Sequence, residues 1–251
     1  MVTPPIHRLL CRVRSYEVDP RGRLQVPILC RLLQEAATEH AADLGVAVEA
    51  LISTGVAWVL TRLDLTMDSW PSVGDEVVVD TWPAAANRLT TERRFEIFDH
   101  HGSRIGSATT LWLVLDLARR RPVRIPATVA EPLSKLGLGD RPVRPDELAS
   151  PGRVDRELTF AIRRCDLDSA GHVNNTSFVE WAIEAVPDDI WNRSNLERLE
   201  VAFLAECHRG QTVVSRAGAR PDSEPREVLH QLVRRNDGRE VARARTSWSC
   251  P

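Results

Sequence analysis

The sequence repeats itself at an interval of 136 residues. Four pairs of identical residues keep this spacing: Arg62 and Arg198, Gly74 and Gly210, Gly102 and Gly238, and Trp112 and Trp248. Because four matches in one register are hard to obtain by chance, they indicate duplication of one supersecondary unit. A chain of 251 residues is therefore expected to build the same arrangement of helices and strands twice.

The first half predicts one helix followed by several strands. Apolar residues recur at helical spacing from Leu29 to Leu44, and Gly45 follows as a stop signal. The strands are predicted at 58–66, 76–82, 93–99 and 107–116, since these stretches alternate and are rich in Val, Thr, Trp and Leu.

The second half repeats this order. Asn174 or Asn175 is expected to cap its helix, and Pro187 follows the last apolar position. Residues 127–156 hold four prolines and three glycines, so they are predicted to link an N-terminal repeat (1–126) to a C-terminal repeat (157–251). One helix and several antiparallel strands, made twice, predict an α+β fold in which a sheet wraps each helix.

Composition excludes several function classes. A formal net charge of −2 argues against a nucleic-acid partner. No apolar run reaches the ~18–20 residues of a membrane span, and the first residues lack a signal-peptide core. The five cysteines are scattered without a C-x-x-C motif, so neither a zinc cluster nor a disulfide framework is expected. The expected location is therefore the cytoplasm, a reducing compartment in which disulfides are rare.

The two halves differ at the turn that leads into each helix. It reads D-P-R-G-R at 19–23 and D-S-A-G-H at 168–172, so only the second copy ends in histidine. The 136-residue interval also places Trp70 opposite Glu206. Only the second half can therefore bring an aspartate, a histidine and a glutamate to one site.

Asp168, His172 and Glu206 are accordingly the candidate catalytic residues. A carboxylate can orient or deprotonate water, and a histidine can polarise a carbonyl. Gly171 allows close approach to the backbone, and N–H groups at a helix start can stabilise an oxyanion. The predicted binding residues are Gly171, Val173, Asn174 and Asn175. This inventory favours metal-free, cofactor-free hydrolysis of an activated acyl group. Considered one at a time, the three residues also fit structural roles: Asp168 as a turn aspartate, His172 as a packed histidine and Glu206 as a solvent-facing charge.

These residues also carry a family resemblance. The segment D-L-D-S-A-G-H-V-N-N at 166–175 resembles the active-site segment of acyl-carrier-protein (acyl-ACP) thioesterases, and L-E-V-A-F-L-A-E-C at 199–207 resembles their later strand. Motifs of the first half follow in the family's order, at 15–19, 32–37, 58–62, 74–75, 81–83 and 111–116. The resemblance implies a double hot-dog fold and hydrolysis of acyl-ACP thioesters to free fatty acids.

By position, the resemblance assigns site roles to Asp168, His172 and Glu206. It matches Cys207 to a cysteine once favoured as the nucleophile, although a buried small residue is the reading we prefer. One departure is Ala170, where plant members of the family have asparagine. An acyl-CoA thioesterase of the same fold and a non-catalytic acyl-binding protein remain alternatives.

The resemblance further implies a partner and a setting. The partner is an acyl carrier protein bearing a 4′-phosphopantetheine thioester, and the acyl chain is expected in an apolar pocket of the first half, where Trp58, Met67 and Trp70 can limit its length. The arginines that could meet the carrier are Arg120, Arg121, Arg124, Arg144, Arg153, Arg163 and Arg164. Because no transit peptide precedes the domain, we expect a cytoplasmic, bacterial member, either monomer or homodimer, without a nucleic-acid or membrane partner.

Overall fold

The computed structural model describes residues 5–47, 51–52, 54–220, 223 and 226–249. The chain divides into two compact units. Unit 1 comprises Met1–Leu63 and Ser69–Pro145, and unit 2 comprises Asp64–Asp68 and Asp146–Pro251. Within the described ranges, no helix is both long and apolar enough to cross a membrane.

Unit 1 is a long helix with an antiparallel sheet. Its elements are β1 (His7–Arg12), α1 (Val26–Asp43), β2 (Val56–Met67, of which the residues from Asp64 onward are counted with unit 2), β3 (Glu76–Ala86), β4 (Thr90–Phe98), β5 (Arg104–Asp116), β6 (Arg121–Val123) and α2 (Ala127–Ser134). The strands follow the order β1-β3-β4-β5-β2, with β6 beside β5. The four predicted strands coincide with β2 to β5.

Helix α1 forms because its apolar residues line one face. Leu29, Leu33, Ala36 and Ala37 are buried on that face, which packs against β1 and β3. Gly45 follows the helix with φ +71°, a backbone conformation that glycine adopts without strain. The helix and its stop signal are thereby confirmed.

Part of the expected linker packs into unit 1. Helix α2 opens the 127–156 segment, and its Val129 and Leu133 are 2% and 5% exposed. These two side chains join a core cluster with Val46, Leu51, Val56 and Val114. Val129 and Leu133 are four residues apart, so they lie on the same face of α2. Because both pack into this core cluster, unit 1 extends beyond residue 126.

Unit 2 repeats the arrangement. Its elements are β7 (Arg156–Ala161), a 3₁₀ turn (Arg164–Asp166), α3 (Asn175–Glu184), α4 (Asp188–Arg193), β8 (Asn195–Phe203), β9 (Thr212–Ala219), β10 (Arg226–Arg234) and β11 (Arg239–Ser249). The strands follow the order β8-β11-β10-β9-β7. The buried face of α3, with Phe178, Trp181 and Ala182, packs against β9 and β10. The predicted double hot-dog fold, one helix and one antiparallel sheet in each of two repeats, is confirmed.

The two units correspond at two different intervals. β1 and α1 begin 149 residues before β7 and α3, whereas β3 and β4 begin 136 residues before β9 and β10. Unit 2 therefore has 13 fewer residues from the start of α3 to the start of β9 than unit 1 has from the start of α1 to the start of β3. The difference explains why the anchors of the sequence repeat all lie after the helix.

Candidate active site

The turn before α3 fixes the Asp168 carboxylate. Its Oδ1 accepts the backbone N–H groups of Ala170 at 2.9 Å and His172 at 3.0 Å. The Asp168 carbonyl also accepts the Gly171 N–H at 3.0 Å, and Gly171 has φ +79°. A side chain at that position would be strained, so the glycine permits the tight turn that orients the aspartate.

Unit 1 contains the same turn with a different electrostatic environment. Asp19 Oδ1 accepts the N–H groups of Arg21 and Arg23, as Asp168 does in its own turn. Asp19 Oδ2, however, pairs with the Arg21 and Arg23 side chains at 3.2 and 3.3 Å. In the described part of the chain, Asp168 Oδ2 has no such partner. Unit 2 thus keeps one carboxylate oxygen available to a ligand.

Glu206 lies between two histidines. Its Oε2 is 3.6 Å from His172 Nε2, and its Oε1 is 3.3 Å from His208 Nε2. The backbones of the two histidines form an antiparallel bridge, and their rings meet edge to face with centroids 5.0 Å apart. The His172 and Glu206 side chains are each 34% exposed, so water can reach the cluster. His172 also connects Glu206 to Asp168, since its own N–H binds the aspartate.

His208 was not among the predicted site residues. The 136-residue interval that places Trp70 opposite Glu206 also places Ser72 opposite His208. Ser72 forms a backbone bridge with Arg23 in unit 1, in the same way that His208 does with His172. Extending the comparison of the two halves by two positions would therefore have identified His208.

The same three side chains form a possible cation-binding set. His172, Glu206 and His208 offer ligand atoms that all lie within 4.8 Å of one another. Two imidazole nitrogens and a carboxylate oxygen are donors that zinc accepts. The expectation of a metal-free site therefore stays a prediction.

The predicted oxyanion contacts are mostly occupied. The backbone N–H groups of Gly171, Val173 and Asn174 donate within the chain, to the carbonyl oxygens of Asp168, Cys207 and Asp166 respectively. They are therefore not available to a substrate unless these bonds break. Among the described residues, the Asn175 N–H has no partner, and it lies at the first position of α3. Of the predicted binding residues, Asn175 is thus the one that can donate a backbone hydrogen bond.

Asn174 instead caps α3. Its side-chain oxygen accepts the N–H of Thr176 at 2.9 Å, which satisfies one of the unpaired donors at the helix start. The predicted cap is confirmed, and the role of Asn174 as a binding residue stays a prediction.

Unit 1 contains a pocket of about 80 Å³ beside α1. Its lining residues are Ala37, Thr38, Ala41, Val46, Trp58, Pro83, Thr91, Arg93, Trp112 and Leu133. Ala37 and Ala41 of the apolar stripe of α1 and Trp58 contribute to it, and its occupation by an acyl chain stays a prediction. Met67, by contrast, is 3% exposed and is not part of this lining.

Two models of known protein families match the chain. The model of the acyl-ACP thioesterase N-terminal domain matches residues 6–133, and that of the C-terminal domain matches residues 150–250. The chain belongs to the acyl-ACP thioesterase family. The two matched domains correspond to the two halves of the sequence repeat.

Individual acyl-ACP thioesterases are similar over nearly the whole chain. A chloroplastic palmitoyl-acyl carrier protein thioesterase of Arabidopsis thaliana is 27% identical, over 94% of this chain and 62% of its own length. The chain thus spans less than two thirds of that relative. An acyl-ACP thioesterase structure from Bacteroides thetaiotaomicron has a TM-score of 0.84 at 25% identity, covering 97% of this chain and 98% of its own. The 12:0-ACP thioesterase of Umbellularia californica gives 0.86 at 25% identity, covering 98% of each chain.

Cys207 of this acyl-ACP thioesterase family member is fully buried. Burial raises the pKa of its thiol to about 11, so the thiolate is scarce at neutral pH. Because the thiolate is the nucleophilic form of cysteine, the geometry argues against nucleophilic attack by this residue. The reading of Cys207 as a buried small residue is consistent with both observations.

Cys207→Ala is expected to retain most of the wild-type hydrolysis rate, because alanine suits a buried apolar position and no nucleophile is lost. Initial rates should be measured for both proteins with and without prior iodoacetamide treatment. Full inactivation of a normally folded Cys207→Ala variant would instead assign the thiol to the reaction.

Proposed function

We propose that this protein hydrolyses acyl-ACP thioesters and releases free fatty acids. The observation that carries the proposal is Glu206 held between His172 and His208, connected through His172 to Asp168. Family membership supports an acyl-ACP as the substrate, since the similar proteins named above are palmitoyl- and 12:0-ACP thioesterases.

Water is the nucleophile in this proposal. Asp168 Oδ2 or Glu206 accepts a proton from water while the water oxygen bonds to the thioester carbon. The C–S bond then breaks, and the phosphopantetheine sulfur leaves as a thiol after it gains that proton. His208 orients the Glu206 carboxylate, and His172 donates its Nε2–H either to that carboxylate or to the carbonyl oxygen of the thioester.

The tetrahedral intermediate carries negative charge on the former carbonyl oxygen. The Asn175 N–H, which has no partner in the described part of the chain, is a suitable donor for that charge because it lies at the positive end of the α3 dipole. The occupied N–H groups of the preceding turn contribute indirectly, since they keep the turn rigid.

The pocket of unit 1 is the proposed site for the acyl chain. Its walls are mostly apolar, and Trp58, Trp112 and Leu133 supply its larger side chains. Burial of methylene groups on such a surface contributes about 0.8 kcal/mol each. The residues that limit chain length are therefore expected among this lining.

We also propose a carrier-protein contact through exposed arginines. Arg153 and Arg163 pair with carboxylates of their own unit, which leaves them less suited to a partner. Arg121, Arg124 and Arg144 of unit 1 are exposed, as is Arg164 of unit 2. Guanidinium groups bind phosphate and carboxylates in a forked geometry, which fits an acidic protein carrying phosphopantetheine.

The proposed setting is the bacterial cytoplasm. The Bacteroides relative supports a bacterial origin, and Cys11, Cys30, Cys165 and Cys207 are all free thiols, as a reducing compartment favours. Cys250 lies outside the described residues. A homodimer remains part of the proposal, to be checked by the molar mass in solution.

Product analysis tests the proposed function. The protein is incubated with carrier proteins that bear acyl groups of graded length, and in parallel with the matching acyl-CoA thioesters. We expect free fatty acids to form faster from the carrier-bound substrates. Faster hydrolysis of acyl-CoA would favour the alternative thioesterase. Tight acyl binding without product would identify a non-catalytic binding protein.

A further inference from the structure

Arg93 of β4 lines the unit 1 pocket and is only 8% exposed. Its Nη1 donates to His40 Nδ1 at 3.0 Å and to Thr81 Oγ1 at 3.2 Å. Within the described ranges, no carboxylate pairs with this guanidinium. Among the residues that the structure describes, the acceptors of this buried arginine are thus an imidazole and a hydroxyl.

This arrangement leaves a positive charge in the pocket. Burial lowers the pKa of Arg93 to about 10, so the side chain is still protonated at neutral pH. Burial, with the Arg93 charge as a further cause, lowers the pKa of His40 to about 4, so His40 is a neutral acceptor. Since the described residues provide no counter-ion, this buried charge is costly, and an anion that enters the pocket would offset part of that cost.

A second polar group points to the same conclusion. Thr91 also lines the pocket, and its buried Oγ1 has no hydrogen-bond partner. Thr91 and Arg93 are two residues apart on β4, so their side chains project from the same face of the strand. A buried hydroxyl is normally hydrogen-bonded. The hydroxyl and the guanidinium together can donate several hydrogen bonds to one oxygen-rich group.

We propose that the unit 1 pocket binds a carboxylate carried on an aliphatic chain, with Arg93 and Thr91 as its hydrogen-bond donors. The inference deepens the proposed function and rests on it for the entry of an acyl chain. Guanidinium–carboxylate pairs are strong because both partners are charged and their geometries match. The methylene groups of the ligand would contact the apolar lining, such as Trp58 and Leu133.

Two ligands carry this chemistry. One is an acyl thioester whose distal end bears a carboxylate, that is, a half-thioester of a dicarboxylic acid. The other is a released fatty acid whose own carboxylate enters the pocket. Both ligands place one carboxylate beside Arg93. For the half-thioester, turnover depends on Arg93, whereas for the released fatty acid it is product binding that depends on Arg93.

The first experiment measures binding and needs no catalysis. Titration calorimetry compares a fatty acid with its methyl ester, over chains of eight to sixteen carbons, on wild type, Arg93→Met and Thr91→Val. We expect the acid to bind wild type about tenfold tighter than the ester, a difference of about 1.4 kcal/mol. That preference should disappear in Arg93→Met and weaken in Thr91→Val. Arg88→Met, at an exposed arginine of the same unit, is the matched control and should retain it.

The second experiment measures turnover of carrier-bound decanoyl and 9-carboxynonanoyl groups. If the distal carboxylate is the ligand, Arg93→Met lowers kcat/KM at least about tenfold for the carboxylated substrate alone. If only the acid-binding preference depends on Arg93, the released fatty acid is the ligand. The proposal is overturned if neither preference depends on Arg93 in a variant with wild-type melting temperature. Absence of all hydrolysis would contradict the proposed function, and the binding experiment would still decide this inference.

Discussion

Asp168→Asn is expected to reduce kcat/KM for acyl-ACP hydrolysis at least about 100-fold, with little change in thermal stability. The amide oxygen of asparagine can still accept the N–H groups of Ala170 and His172, so the turn is preserved. The substitution removes the negative charge and the acceptor at Oδ2, which is the oxygen that lacks a partner in the described structure. Steady-state rates and a melting curve on the same preparation separate chemistry from folding.

The chain itself supplies the control for this experiment. Asp19→Asn makes the same change in the same turn of unit 1, where Arg21 and Arg23 already occupy the second oxygen. We expect this variant to hydrolyse acyl-ACP at close to the wild-type rate. Equal losses in both variants would mean that the aspartates serve only the turns, and Asp168 would then leave the catalytic set.

Glu206→Gln is expected to lower kcat for acyl-ACP at least about 100-fold, with a smaller effect on KM. Glutamine has nearly the same shape but cannot accept a proton from water at neutral pH. Its amide can also face only one of the two histidines with an acceptor, so the pairing with His172 and His208 is broken on one side. Single-turnover measurements with acyl-ACP would show whether the chemical step is the one that slows.

Glu157→Gln is a suitable comparison for the Glu206 variant. Glu157 lies on β7 of the same unit, half exposed, in a surface ion pair with Arg216. Glu157→Gln removes the same charge, and we expect little effect on activity or stability because surface ion pairs contribute little to stability. If Glu206→Gln is as active as Glu157→Gln, the glutamate is not the base.

The fold was predictable because its determinants are repeated patterns along the chain. The spacing of apolar residues defined α1, and alternation defined β2 to β5. Helix α2 was harder to predict, because its segment contains four prolines and has little periodicity. Nothing in that local pattern indicates that Val129 and Leu133 are buried in the core of unit 1. Burial of that kind depends on distant residues such as Val114, which local patterns do not reveal.

The sequence predicted which residues the candidate site brings together but not their hydrogen bonds, and their roles in the reaction stay predictions. A difference between two copies identified Asp168, His172 and Glu206 as candidates, and the structure connects all three. The sequence could not show that the turn consumes the N–H groups of Gly171 and Val173, because that depends on the carbonyls of Asp168 and Cys207. The sequence likewise could not predict that Arg93 lines a pocket without a carboxylate partner among the described residues, because burial and pairing depend on the folded structure.

The 13-residue difference between the units has an evolutionary consequence. The extra length of unit 1 lies in and after α1, and the stretch between α1 and β2 contributes Val46 to the pocket wall. Insertions or deletions there can enlarge or shrink the space for a ligand. The carboxylates and histidines of unit 2 stand on separate segments and need not change. A change in the pocket of unit 1 therefore does not require a change at the candidate site of unit 2.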